Sequence, residues 1–98
     1  MNYQFEWDWV KNTKNWWKHG INFSDASQLW YRYDSIFRGA KKVDGEQRLK
    51  LIGKHENEIW SVIYTLRGKK FRIISAHRAS KTDRADFSAS NYSGRARP

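Results

Sequence analysis

Residues 58–76 read EIWSVIYTL, RGK, KFRIISA: two runs rich in β-branched and aromatic side chains around a glycine-centred turn. The first run, 58–66, is apolar almost throughout and predicts a central strand. The second, 70–76, predicts its neighbour, and the connection Arg67-Gly68-Lys69 is short enough to make the pair antiparallel. Working backwards, residues 47–53 place Leu49 and Leu51 on one face of a preceding strand, with 54–57 as the turn. Before that, residues 39–46 (GAKKVDGE) read as a loop with a turn at Asp44-Gly45, and Ile36 and Phe37 support a short strand within 34–38.

The N-terminal third reads differently. Tyr3, Phe5 and Trp7 alternate with polar residues, the pattern of a half-buried strand. Asp8 is a helix N-cap, residues 9–19 follow with Trp9/Trp16 and Val10/Trp17 each seven apart, and Gly20 is a C-cap. Ser24 caps a second helix whose Ala26, Leu29, Trp30 and Tyr33 fall at i, i+3, i+4 and i+7. Trp9, Trp16, Trp17 and Trp30 are read as core residues in preference to a base-stacking platform. Ser80 with Asp83 starts a last helix from Lys81 to about Ala89. The order β-α-α-β-β-β-β-α predicts an α+β domain over residues 1–89, with two early helices covering a mostly antiparallel sheet. Residues 90–98 read as a disordered polar tail carrying basic charge.

Composition narrows the function. The 98 residues suit one domain and contain no Cys, which excludes disulfides, thiolate metal sites and Cys nucleophiles. His19, His55 and His77 have no local metal-ligand spacing, so no metal or other cofactor is expected. The N-terminus is unlike a signal peptide, and no apolar run is long enough to span a bilayer, so a cytoplasmic location is expected. Of the net charge of +9, residues 1–34 hold four basic against four acidic residues, 35–66 six against four, and 67–98 nine against two. A basic C-terminal third fits a polyanion, either nucleic acid or an acidic protein, although basic charge also serves solubility.

Nucleotide-binding glycine loops and nucleophile elbows are absent. His19, beside Gly20, reads as a structural complement to the helix dipole, and His55 as a solvated turn residue. The last strand is more informative. In an ideal extended chain Arg72, Ile74, Ala76 and Arg78 share a face, and with Arg67 and His77 they can hold a phosphate through bidentate guanidinium contacts. The same spacing fits an exposed, solvated strand. Glu46, Arg48 and Lys50 add a carboxylate and two cations on a nearby strand.

An ordered series of motifs runs through these residues. FEWD at 5–8 is followed by Lys11, Asn15, KHG at 18–20, Phe23, Ala26, DGE at 44–46, Arg48, IG at 52–53, YTLRG at 64–68 and RIISAHRAS at 72–80. The chain thereby resembles the BrnT toxins of bacterial type II toxin–antitoxin modules, from about Phe5 to Arg84. The resemblance implies a RelE/ParE-like fold and a ribonuclease that stops translation. It further implies a BrnA-like antitoxin that covers the active surface, carries a DNA-binding domain, and represses the operon in complex with the toxin. A homodimer within that complex is a further expectation. The chain departs from the family pattern at His77, where Arg is frequent, at Phe87, where Tyr is common and Tyr92 is a candidate substitute, and after Asp34, where Pro often follows.

For such an enzyme the RNA 2′-OH is the nucleophile. The protein must supply a base, cations around the phosphorane and an acid for the leaving oxygen, with no metal required. Arg67, Arg72 and Arg78 are the candidates for charge stabilisation, His77 or Glu46 for the base, and His77 or a neighbouring cation for the acid. Lys41, Lys42, Arg48, Lys69, Lys70, Lys81 and Arg84 are expected to contact phosphates. The rival expectation is a non-catalytic toxin fold that binds nucleic acid or a protein target, as ParE-like proteins bind gyrase.

Overall fold

The computed structural model describes residues 2–95 as backbone and residues 2–91 with their side chains. The elements are β1 (Phe5–Trp7), α1 (Trp9–His19), α2 (Phe23–Ser27), a 3-10 turn (Gln28–Tyr31), β2 (Ile36–Val43), β3 (Glu46–His55), β4 (Glu58–Arg67), β5 (Lys70–Arg78) and α3 (Lys81–Arg95). One five-stranded sheet has the order β1-β5-β4-β3-β2. β2 to β5 form the antiparallel meander, and β1 returns to pair in parallel with β5 from Phe5↔Phe71 to Trp7↔Ile73.

Two readings of the architecture need correction. The sheet is mixed, and its strands, not a pair of N-terminal helices, form the centre of the molecule. The second helix is only five residues long, is capped by Asn22 instead of Ser24, and passes directly into the 3-10 turn. Tyr33 therefore falls outside it and is exposed. β2 continues through the residues read as a loop, because Asp44 and Gly45 both take positive φ, 51° and 77°. That conformation closes a two-residue hairpin and lets Ala40 and Val43 pair with Arg48 and Glu46. α3 continues to Arg95, so six of the nine residues read as a disordered tail are helical, while Ala96 to Pro98 lie outside the described residues.

The sheet buries its two faces unequally. On one face Leu51, Trp60, Val62, Tyr64, Ile73 and Ala76 meet Ile21, Phe23, Ala26, Leu29 and Trp30. The Trp30 ring sits 5.0, 4.9 and 5.5 Å from those of Phe5, Tyr64 and Phe71. On the other face Phe87 of α3 and Ala79 form a smaller cluster with Ile52, Ile36 and Ile59. Gly53 is needed where the 3-10 turn crosses β3, because a Cβ there would come within 2.6 Å of Ser35 Oγ and 3.2 Å of Leu29.

The expectation that α1 buries its tryptophans is overturned. Trp9, Trp16 and Trp17 are 70%, 49% and 82% exposed, and of the four tryptophans expected in the core from helical spacing only Trp30 joins it. α1 instead turns a polar stripe inward. Asn12 Oδ1 accepts from Phe23 N, and Asn15 Nδ2 donates to Ile21 O and Ala76 O while its Oδ1 accepts from Ala76 N. β1 pairs with β5 only as far as Ile73, so Asn15 supplies the backbone partner that a longer strand would have given Ala76. Asn15→Ala is expected to cost roughly 2–4 kcal/mol, since it leaves buried backbone groups unpaired. Urea unfolding checks this, and an unchanged midpoint would show that the clasp contributes nothing.

Candidate active site

The bulge in β5 governs where the candidate cations go. Ile63 pairs with Ser75 but Tyr64 pairs with Ile73, which leaves Ile74 as an extra residue. Phe71, Ile73 and Ala76 nevertheless all pack in the larger core. Arg72 alternates with Phe71 and Ile73 and so lies on the opposite, α3-bearing face, whereas Arg78 follows Ala76 to the larger-core face. The expectation that Arg72 and Arg78 share a face therefore fails, because one inserted residue inverts the alternation between them.

Distance separates the candidates further. Arg67 pairs with Lys70 at one end of the β4–β5 hairpin and Trp60 pairs with Arg78 at the other. At about 3.3 Å per residue the two ends are roughly 23 Å apart, so Arg67 and Arg78 cannot grip one phosphate. The structure divides the sequence-derived set into two groups.

The first group lies beside the β2–β3 and β4–β5 turns. Arg67 Nε and Nη2 reach Glu46 Oε2 at 3.1 and 3.0 Å, and Arg48 Nη2 lies 3.4 Å from Glu46 Oε1. Arg48 Nε is buried without a partner. Arg72 Nη1 donates to Glu6 Oε2 at 2.8 Å, across the parallel β1–β5 pair. Lys41, Lys42, Lys69 and Lys70 are exposed around this end. Lys50 is tied to α3 instead: its Nζ donates to both Asp83 oxygens at 2.9 and 3.1 Å, and Ser61 Oγ donates to Oδ2 of the same carboxylate. Arg38 clasps Asp86 in the same way, which holds the Asp86 carboxyl below its ordinary range. Lys81 and Arg84 project from the exposed side of α3. Phe87 is packed into the smaller core, and the side chain of Tyr92 lies outside the described residues.

The second group lies at the far end, where α1 finishes. His77 Nδ1 is 3.0 Å from the Arg78 carbonyl oxygen, an acceptor only, so this nitrogen is the donor. The Arg78 guanidinium carbon stands 5.8 Å from the centre of the Trp60 ring, with Glu58 Oε1 3.5 Å from its Nε. The rings of His19 and His77 are 5.9 Å apart, centre to centre. Lys18, His19, His77 and Arg78 line a cleft of about 430 Å³. A second cleft of about 460 Å³ adjoins it and reaches Trp16, His55, Glu58 and Trp60. Burial, then the charges of His77 and Lys18, hold the His19 imidazole below its ordinary value of 6.5.

Of the expected catalytic residues, His77 and Arg78 stand together, and Glu46 and Arg67 stand together with Arg72 nearby. Sequence spacing places neither His19 nor His55 in the site, yet both border these clefts. The signal for His19 was its place beside the C-cap Gly20, since the last turn of α1 points at the end of β5, but no sequence spacing connects His19 with His77.

The depressed His19 imidazole makes the stability of the fold depend on pH. An unfolded chain takes up the proton at His19 more readily than the folded one. Stability contributed by the neutral ring is thus present above pH 6.5 and is lost as pH falls through the lower folded value. His19→Gln is expected to flatten that part of the stability–pH curve. His77→Ala is expected to move the His19 NMR titration upward but not fully to the ordinary value, because burial is the larger cause; an unmoved midpoint would contradict the pairing.

A family model described as "Ribonuclease toxin, BrnT, of type II toxin-antitoxin system" matches residues 7–83. No curated protein matches the chain. The matched span runs from the end of β1 into the first turn of α3 and includes every candidate catalytic and phosphate-contacting residue except Arg84. The chain therefore belongs to the BrnT family, the ribonuclease toxins of type II toxin–antitoxin systems.

Proposed function

We propose that this ribonuclease toxin cleaves RNA without a metal ion at the His77–Arg78 end of the sheet. The observation that carries this reading is the open cleft in which an imidazole, a guanidinium and an ammonium converge, at His77, Arg78 and Lys18. The 2′-oxygen attacks the adjacent phosphorus, the 5′-oxygen leaves, and the products are a 2′,3′-cyclic phosphate and a 5′-hydroxyl. His77 serves as an acid–base group. Arg78 and Lys18 balance the extra negative charge of the phosphorane. Glu46 is less suited to be the base, because Arg67 and Arg48 already occupy its carboxylate.

Arg67, Arg72 and Arg48, with Lys41, Lys42, Lys69 and Lys70, then act as a track for the phosphate backbone, and Lys81 and Arg84 extend it along α3. The distance between the two ends suits a bound strand of several nucleotides better than a single phosphate site. RNA cleavage would inhibit translation in the cytoplasm, with a RelE/ParE-like scaffold underneath. A BrnA-like antitoxin carrying a DNA-binding domain would neutralise the enzyme by covering this surface, within a complex that could pair two toxin copies.

Purified protein should cut RNA in excess chelator, and loss of activity there would sink the metal-free scheme. Arg78→Ala should lower kcat by about 100-fold, the usual scale for removing one charge-stabilising donor. Arg67→Ala and Arg72→Ala should chiefly raise KM and reduce the steepness with which added salt weakens binding. Full activity of Arg78→Ala would move the reacting end elsewhere.

A further inference from the structure

Resting on that ribonuclease reading, we propose that His19 is the general base of the reaction, opposed across the cleft by His77 as the general acid. The first support is placement. The ring centres are 5.9 Å apart and tilted by 53°, so the imidazoles are neighbours without stacking. One phosphate accepting from both rings needs nitrogens roughly 5–8 Å apart, allowing about 2.8 Å for each hydrogen bond. Both rings open on the same cleft, between Lys18 and Arg78.

The second support is that the two rings are held differently. His77 Nδ1 donates to the Arg78 carbonyl, which fixes the ring and leaves Nε2 free to meet a substrate. His19 has no such acceptor, is partly buried, and faces the cations Lys18, His77 and Arg78. Asp25, Glu58 and the turn carboxylate of Glu56 border the adjoining cleft, where His55 lies 3.8 Å from Glu56 Oε2. The nearer charges thus favour a neutral His19, the form a base requires. The two imidazoles thus stand in different settings: His19 is held neutral by burial and neighbouring charge, and His77 is anchored through Nδ1 with Nε2 free.

In the step, neutral His19 takes the 2′-hydroxyl proton, the 2′-oxygen bonds to phosphorus, and the phosphorus–5′-oxygen bond breaks. The 5′-oxygen takes the proton from His77 Nε2, so no charge or electron is left over. Trp16, half-exposed on the wall of the adjoining cleft, offers a face for the flanking base.

The test uses the full chain and two RNA oligonucleotides of one sequence containing the mapped cleavage position. One is natural, and the other has a bridging sulfur in place of the scissile 5′-oxygen, whose thiolate leaves without a proton. His77→Ala should lose about 10²- to 10³-fold on natural RNA and recover most of it on the sulfur substrate. His19→Ala should lose a similar factor on both substrates, and the fall in kcat/KM at low pH should vanish. His19→Asn and a thermal melt control for folding, and binding of the 2′-deoxy oligonucleotide controls for substrate affinity. Cleavage of natural RNA by His19→Ala within about twofold of wild type, or its rescue by the sulfur substrate, would overturn the assignment of the base. Failure of the wild type to cut either RNA would remove the ribonuclease reading, and the pair with it.

Discussion

The amide of Asn15 holds the end of α1 against the edge of the sheet. β5 has a full-length partner in β4, but on its other side β1 stops opposite Ile73. Past that point the backbone of Ala76 would face a gap. Asn15 fills it by accepting from Ala76 N and donating to Ala76 O, and its Nδ2 also donates to the carbonyl of Ile21 after the Gly20 cap. One buried side chain thereby fixes the end of α1, the turn that follows and the edge of β5. His19 lies four residues beyond Asn15, on the same side of the helix, and His77 directly follows Ala76. Their proximity is a consequence of the clasp. A polar residue buried at this point costs little, because every hydrogen bond it needs is made.

The bulge at Ile74 is the second constraint. Without it, Phe71, Ile73, Ser75 and His77 would share the larger-core face, and Ala76 would turn away from α1. With it, Ala76 meets Asn15, and Arg78 lands against Trp60 instead of on the α3-bearing face. The inversion distributes the strand's two arginines between the two faces of the sheet. Arg72 is held by Glu6 on the one, and Arg78 borders an open cleft on the other.

Much of the fold was legible because hydrophobic period and turn chemistry agreed. Asp8, Gly20 and the bounds of α1 are where capping rules put them, and 58–66 and 70–76 fall inside strands. The failures have physical causes. Asp44-Gly45 was recognised as a turn, yet the polar GAKKV before it concealed an edge strand, which needs little apolar character when much of it faces solvent. The tryptophans of α1 share a helical face, and that periodicity pointed inward. The actual inner face carries Asn12 and Asn15, whose value lies in backbone hydrogen bonds that no hydrophobicity pattern reports. The bulge at Ile74 carries no glycine or proline to announce it, so the Arg72–Arg78 alternation looked regular. The site suffered most, since His19 and His77 are 58 residues apart in sequence and are brought together by the Asn15–Ala76 clasp, which no spacing announces.

The basic charge also has a different meaning in three dimensions. Residues 67–98 supply most of the excess, but the fold spreads the described basic residues among them over both ends and both faces of the sheet. Among the described residues, most arginines there and on neighbouring strands face carboxylates: Arg38 with Asp86, Arg67 and Arg48 with Glu46, Arg72 with Glu6. Such pairs orient guanidinium groups more than they stabilise the chain, since exposed ion pairs are worth little. The exposed lysines Lys41, Lys42, Lys69 and Lys70 instead carry charge on long, hydrated stems, suited to phosphates at loosely defined positions. Oriented arginines and mobile lysines are thus two separate devices. On the proposed reading the lysines draw a polyanion to the surface, while selection of the bond to be broken falls to the few groups at the end of β5 that the clasp has placed.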